Sequence, residues 1–268
     1  MKKIIIIFKN ELTKLKHQRF PLVALIFTML FTIAAALFRN SLANVESLSM
    51  GQANGWQIMS FAASWGMQLA GLLILILSIN LVTEEFSDRT IKNILSRPVT
   101  RTQFILGKTL TIGFLVLIFL TAIFITSFFA GLSLGDMGHL QERGYVIAKW
   151  EKLLGNLIAA FFLSIVTLSV IGIFGVFISI LLPRSGVAIG ASICLYFVLN
   201  ISAQFDKVKN YLFTSFTNFP INTAKEITYG LTPGWTPQLY WCLLTNILSA
   251  VFFILLTVSL LKRKDILS

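Results

Sequence analysis

Residues 84–109 read EEFSDRTIKNILSRPVTRTQFILGKT, the most charged stretch of a very apolar chain. A carboxylate pair, Glu84 and Glu85, opens it, and a Gly-Lys-Thr run, Gly107 to Thr109, closes it. Between them Ile91, Ile94 and Leu95 recur at helical spacing among Arg89, Lys92 and Asn93, up to Pro98. The carboxylates point to acid–base chemistry, the glycine-lysine run to a phosphate site, and the amphipathic middle to a surface helix. The sequence on either side decides among them.

Those flanks are membrane-like. The chain has 268 residues, is 56% hydrophobic and only 12% charged, and its mean hydropathy is +0.82. A soluble domain is about 45–50% apolar and about 25% charged. The excess lies in long uncharged runs, each able to supply the roughly 20 apolar residues of a spanning helix. They predict helices near 20–38, 60–83, 109–131, 156–181, 186–204 and 240–261. The runs are continuous rather than alternating, which excludes a barrel. The expected fold is an all-α membrane protein: one domain over 1–268, an inner segment 84–108 and an outer segment 205–237.

The first 20 residues, MKKIIIIFKNELTKLKHQRF, hold an apolar block too short for a signal peptide, ended by Lys9. Ile5, Phe8, Leu12 and Leu15 fall at helical spacing among lysines, the pattern of a basic amphipathic helix lying at the membrane interface. With the N-terminus inside, the inner segments carry 15 Lys and Arg and the outer ones 7. Both termini are therefore expected in the cytosol of a cell, with the chain in its plasma membrane. The net charge of +11 is mostly this asymmetry and gives no reason to expect a nucleic-acid partner. Trp56, Trp65, Trp150, Trp235 and Trp241 all fall at or near the other ends of the spans, as interfacial tryptophans do.

Little else in the chain carries chemistry. Cys194 and Cys242 sit in predicted spans, where packing is their default role, and the isolated His17 and His139 form no metal-ligand spacing. A phosphate loop needs a glycine five residues before Gly107, but that residue is Thr102, and no strand precedes it. The expectation is that Lys108 snorkels from the end of the third span. No cofactor is expected in this chain. The outer stretch FTSFTNFPINTAKEITYGLTPGWTP is too apolar for a plain loop and is broken by Pro220, Pro233 and Pro237, so short re-entrant or interfacial helices are expected there.

Within 84–108, Ser87 can cap a helix with Asp88 in its first turn. Pro98 disfavours helix at Arg97, and Thr100 with Gln103 has capping-box spacing for a new helix running into the third span. The product is a short amphipathic helix followed by a sharp turn. Its ridge of Ile91, Ile94 and Leu95 suits either a partner's groove or the lipid surface.

Two resemblances follow. EEFSDR is similar to the EExxxR element of the CAAX-type glutamic intramembrane proteases, whose paired carboxylates act on water. That family's pattern also calls for histidines on other helices, which His17 and His139 do not supply. More extensively, residues 84–108 resemble the loop between spans two and three of the ABC type 2 permease family. There a Glu precedes a G-T-[ILW]-K-x-L-L-x-x-P-[VI]-[ST]-R-x-x-[IF]-x-x-[GA]-K run. Thr90, Ile91, Lys92, Leu95, Pro98, Val99, Thr100, Arg101, Gly107 and Lys108 occupy matching positions, with Arg89 where the pattern often has Gly. The basic N-terminal helix, the six spans and the semi-apolar segment before the last one fit as well.

This second resemblance implies the permease subunit of an ATP-driven exporter of a peptide, antibiotic, lipid or similar substrate. It implies a dimer, with a second copy or a homologue. A separate ATPase subunit would bind ATP and magnesium and dock beneath. The coupling residues it implies are Glu84, Glu85, Arg89, Thr90, Ile91, Lys92, Ile94, Leu95, Pro98 and Arg101, some of them facing the ATPase and some the membrane lipid. An intramembrane protease is the alternative. An ion-coupled carrier is disfavoured because no charged residue falls inside a predicted span, where such carriers keep them despite the cost.

Overall fold

A computed structural model of the chain describes residues 2–50, 54–87, 100–142, 145–231 and 234–263. It is a helical bundle. A short helix, α1 (Lys2–His17), leads into α2 (Arg19–Met50), α3 (Gly55–Ser87), α4 (Arg101–Leu134), α5 (Trp150–Leu181) and α6 (Ser185–Ser202). Three short elements follow: α7 (Asp206–Lys209), a 3₁₀ turn (Phe213–Phe216) and α8 (Phe219–Thr228). The last helix is α9 (Gln238–Arg263). Helices α2 to α6 and α9 are long and apolar enough to cross a membrane, six in all among the described residues.

Local chemistry sets the boundaries. Pro21 lies in the first turn of α2, where its missing N–H costs nothing, and the break from α1 falls at Gln18. Helix α4 opens on the expected capping box: the Thr100 hydroxyl accepts from the Gln103 N–H while the Gln103 side chain accepts from the Thr100 N–H. Pro183 follows directly on α5 and its C-cap, and forces the turn into α6.

Helix α3 is the axis of the bundle, packing against α2, α4, α5, α6 and α8. In its most apolar stretch 67% of residues are buried, against 22% in α2 and 17% in α6 and α9. Those three therefore present most of their apolar surface outward, as lipid-facing helices do. Close approach at the axis depends on Gly172 of α5, where a Cβ would run into Ile112 of α4 and lie 3.0 Å from Ser78 Oγ of α3. Small residues at such crossings let membrane helices pack by dispersion alone.

The structure departs from the sequence reading in three places. Ser87 is the last residue of α3, and the short amphipathic helix expected after it lies outside the described residues. Helix α3 runs past the length a bilayer requires, so Glu84 and Glu85 belong to it and not to a loop, whereas Arg101 and Lys108 lie on α4, the helix that the Thr100–Gln103 capping box led one to expect. Between α4 and α5 the chain forms an antiparallel hairpin, β1 (Leu140–Glu142) with β2 (Tyr145–Ala148), pairing Leu140 with Ala148. Strands of three and four residues are too short to show a period in sequence.

At the hairpin's end of the bundle, the stretch from Phe213 to Thr228 is tucked between helices. Phe213, Phe216, Pro220, Ile221, Ala224 and Ile227 are buried. The Thr167 hydroxyl donates to Thr217 O, Thr214 to Leu199 O at 3.1 Å, and Ser60 and Thr228 share a bond of 2.9 Å. Lys225 and Arg39 lie over the rings of Phe61 and Tyr229, which ties α8 to α3 and α2. Burial and the neighbouring Arg39 push Lys225 below the usual lysine range, although Glu226 opposes them.

Candidate functional site

At the opposite end, where α1, the end of α3 and the start of α4 meet, four charged side chains form one closed cluster. Lys108 is its centre. Its side chain is fully buried, and its ammonium lies 2.8 Å from Glu11 Oε2 and 2.9 Å from Glu85 Oε1. The third N–H goes to Leu81 O at 2.7 Å. All three donors of the ammonium are thus satisfied, and the Phe104 ring covers it with its centroid 5.4 Å away. Lys14 closes the ring from the surface, 2.6 Å from Glu85 Oε1 and 3.2 Å from Glu11 Oε1. Among the described residues, two ammoniums and two carboxylates balance one another.

Neutrality is what makes such a cluster tolerable. One unpaired ion moved into the interior costs several kcal/mol, and breaking a buried pair costs about 3–5 kcal/mol. Burial alone would lower the pKa of Lys14. The hydrogen bond and charge of Glu85, joined by Glu11, outweigh burial and hold Lys14 above the usual lysine range.

Gly107 decides whether the cluster can form. A Cβ there would come within 2.6 Å of Ile7 Cγ2. Without one, α1 lies directly against α4, and Glu11, one turn past Ile7, reaches Lys108. The Gly-Lys pair is therefore a helix-contact device and not a phosphate loop. The expected snorkelling of Lys108 is overturned for the same reason: α1 covers the position, and Glu11 and Glu85 replace the water. The inward face of α1 is centred on Ile7 and Glu11, the two buried residues among the described side chains of the helix, while Ile5 points outward. The signal was present in the sequence, since Glu11 is the lone carboxylate in a basic helix and continues the Ile7 face at i+4.

The two glutamates of the opening stretch go to different partners. Glu85 is 3% exposed and engaged with both lysines. Glu84 is exposed and accepts from Gln18 Nε2 at 2.6 Å. Neither histidine approaches them: His17 Nδ1 is 2.8 Å from Thr13 O, and His139 Nδ1 accepts from Trp150 N–H at the far end of the bundle. Among the described residues no group of three or more His, Cys, Asp and Glu has metal-binding geometry. Arg101 turns back to α9, where its Nη1 donates to Leu261 O and, at 2.8 Å, to Lys262 O. Arg89, Thr90, Ile91, Lys92, Ile94, Leu95 and Pro98 lie outside the described residues.

The segment 88–99 is thus flanked by Glu85 on one side and by Thr100, Arg101 and Lys108 on the other, all fixed to the bundle. A family model described as ABC-2 family transporter protein matches residues 7–183, from α1 to just past the end of α5. The chain belongs to the ABC-2 transporter family. A protein of Bacillus subtilis (strain 168), named "Uncharacterized protein YhcI", is 25% identical over 224 residues, which cover 79% of this chain and 69% of that protein. Family and architecture together make this ABC-2 chain a multi-pass permease subunit of an ABC transporter, a transport component of the membrane. The matched region contains all four members of the charge cluster.

Proposed function

We propose that this ABC-2 permease serves an exporter, with ATP bound and hydrolysed by a separate subunit that docks at the charge-cluster end of the bundle. Both termini and residues 84–108 then face the cytosol of a bacterial cell, in accord with the excess of Lys and Arg on that side. Two such six-span chains, alike or homologous, form the pathway. The candidate contacts to the ATPase are Glu84, Arg89, Thr90, Lys92, Pro98 and the ridge of Ile91, Ile94 and Leu95. Glu85 and Arg101 act from behind, by fixing the two ends of that segment.

The observation that carries this reading is the closed cluster of Glu11, Lys14, Glu85 and Lys108. It joins α1 and α4 to the end of α3, the helix that packs against most of the others. A push on 88–99 is then delivered to the bundle's axis and not absorbed in a soft loop. The intramembrane protease is disfavoured by the same geometry, because Glu85 is neutralised by two lysines and Glu84 turns to Gln18.

The test is co-purification of the ATPase at matched expression. Burying one apolar side chain contributes about 1.5–3 kcal/mol, and a charge brought into the same pocket costs more. Leu95→Asp is expected to abolish co-purification and substrate-stimulated ATP hydrolysis while membrane insertion stays normal. Asn93→Asp, on another face, should retain both. Equal retention by the two variants would sink the docking proposal.

A further inference from the structure

We propose that the cavity at the bundle end opposite the charge cluster binds a neutral saccharide. It has a volume of about 870 Å³, within the roughly 300–1,000 Å³ of small-molecule sites. The end of α6, the three short elements and the start of α9 border it, and it opens to the surface. Ligand pockets are usually lined mainly by apolar groups. This one is lined mainly by neutral hydrogen-bonding side chains, with Asn200, Asn210, Asn218 and Asn222 among them.

The wall is not self-satisfied. Asn218 Oδ1 and Ser215 Oγ are buried and have no hydrogen-bond partner among the described residues. Buried polar atoms are paired in the great majority of cases, so two orphans in one wall point to a missing partner. Asn200 gives its amide N–H to Tyr196 O at 2.8 Å. Asn222 stands exposed at the cavity. The site thus offers both donors and acceptors, closely spaced, and calls for a ligand whose groups also do both. Vicinal hydroxyls do.

Charge and shape narrow the class. The ionisable wall residues are Asp206, Glu226 and Lys209, a net of one negative charge in a chain that carries +11 overall. Phosphorylated and acidic ligands are therefore disfavoured. Trp241 lines the cavity beside Phe216 and Phe219, and its indole is held edge-on against Tyr211 and Tyr240, with centroids 6.4 and 6.2 Å away. A fixed aromatic surface beside amides gives the C–H face of a sugar ring an apolar partner while the hydroxyls are hydrogen-bonded. A free oligosaccharide and the sugar headgroup of a glycolipid present the same chemistry.

The test is calorimetric titration of the full chain in nanodiscs of phosphatidylcholine, with maltotriose and N,N′,N″-triacetylchitotriose as probes, and triglycine and inorganic phosphate as controls. Saturable heat from at least one sugar and none from the controls is expected, with the response weakened tenfold or more in both Asn222→Leu and Asn218→Leu. Asn222 is exposed, so that variant keeps the fold even if Asn218→Leu does not. Nanodiscs doped with monoglucosyldiacylglycerol separate the two sources. Loss of maltotriose binding there assigns the site to a headgroup, and undiminished binding assigns it to a soluble sugar. No saturable heat from any sugar or glycolipid, binding that Asn222→Leu leaves unchanged, or a response to triglycine instead would overturn the proposal. None of these readouts involves an ATPase, so failure here is separable from failure of the exporter reading.

Discussion

Lys108 Nζ lies 2.8 Å from Glu11 Oε2, a contact that joins the N-terminal helix to the start of α4 inside the protein, with no solvent access to the lysine. The two residues are almost a hundred positions apart, and the partner they share, Glu85, is the third from the end of α3. Among the described residues, loss of Lys108 would leave the two buried carboxylates with the half-exposed Lys14. Lys108→Met should therefore destabilise by about 3–5 kcal/mol, the cost of a broken buried pair. Removing Glu11 as well, in Lys108→Met/Glu11→Gln, leaves Lys14 paired with Glu85 and should recover more than half of that loss. Thermal unfolding in detergent checks both, and a double variant no more stable than the single one would show that charge balance is not the reason.

Gly107 and Ile7 give a prediction whose sign reverses with background. Alanine is about 1 kcal/mol better than glycine inside a helix. At position 107 its Cβ would stand 2.6 Å from Ile7 Cγ2, and overpacking costs about 1–3 kcal/mol. Gly107→Ala alone should be neutral to destabilising, and it should displace α1. With Ile7→Ala present, the same change should stabilise. The four proteins of this double-mutant cycle, compared by unfolding midpoint, are expected to show a coupling of at least about 1 kcal/mol, as contacting residues do.

How far the sequence disclosed all this follows from range. Six runs of apolar residues and the Thr100–Gln103 capping box are local patterns, and the helices appear where they predict them. The permease family was legible because the 84–108 pattern is contiguous. The charge cluster was not, because it draws on α1, α3 and α4, and because Lys108 at a helix end looks in sequence like any snorkelling lysine. Its burial depends on the absence of a Cβ at 107 and on a carboxylate in another helix. Arg101 was singled out, but the partners it has among the described residues are backbone carbonyls of α9, which have no residue-type signature at all.

Arg101 supplies the third prediction. Its Nη1 serves Leu261 O and Lys262 O, near the C-terminal end of α9. Arg101→Gln removes the reach and the charge that those carbonyls accept. The last turn of α9 should then fray. In hydrogen–deuterium exchange, the amides of 259–263 should lose protection while those of 242–250 keep theirs. Because the charged partner is lost at one helix end only, the global unfolding midpoint should move little. Unchanged protection at 259–263 would show that packing, and not Arg101, holds that end.

The last prediction concerns pH. Lys14 is held above the ordinary lysine pKa of about 10.4. A group whose folded pKa is raised stabilises the fold fully below its unfolded pKa, and that contribution is lost as pH rises through the folded value. Lys14 therefore contributes a constant amount at neutral pH and progressively less above about pH 10.4. The side chain is half exposed, so screening by water and salt keeps the amount small. The measurement is the unfolding midpoint of the parent and of Lys14→Met, taken between about pH 7 and pH 11.5, on both sides of the lysine range. The gap between them should be flat to about pH 9.5 and close above about pH 10.4. It should also narrow in high salt, as a partly exposed ion pair requires. A gap that widened with rising pH would mean that Lys14 is disfavoured as a cation in the folded protein. The charge balance of the cluster would then rest on Lys108 alone.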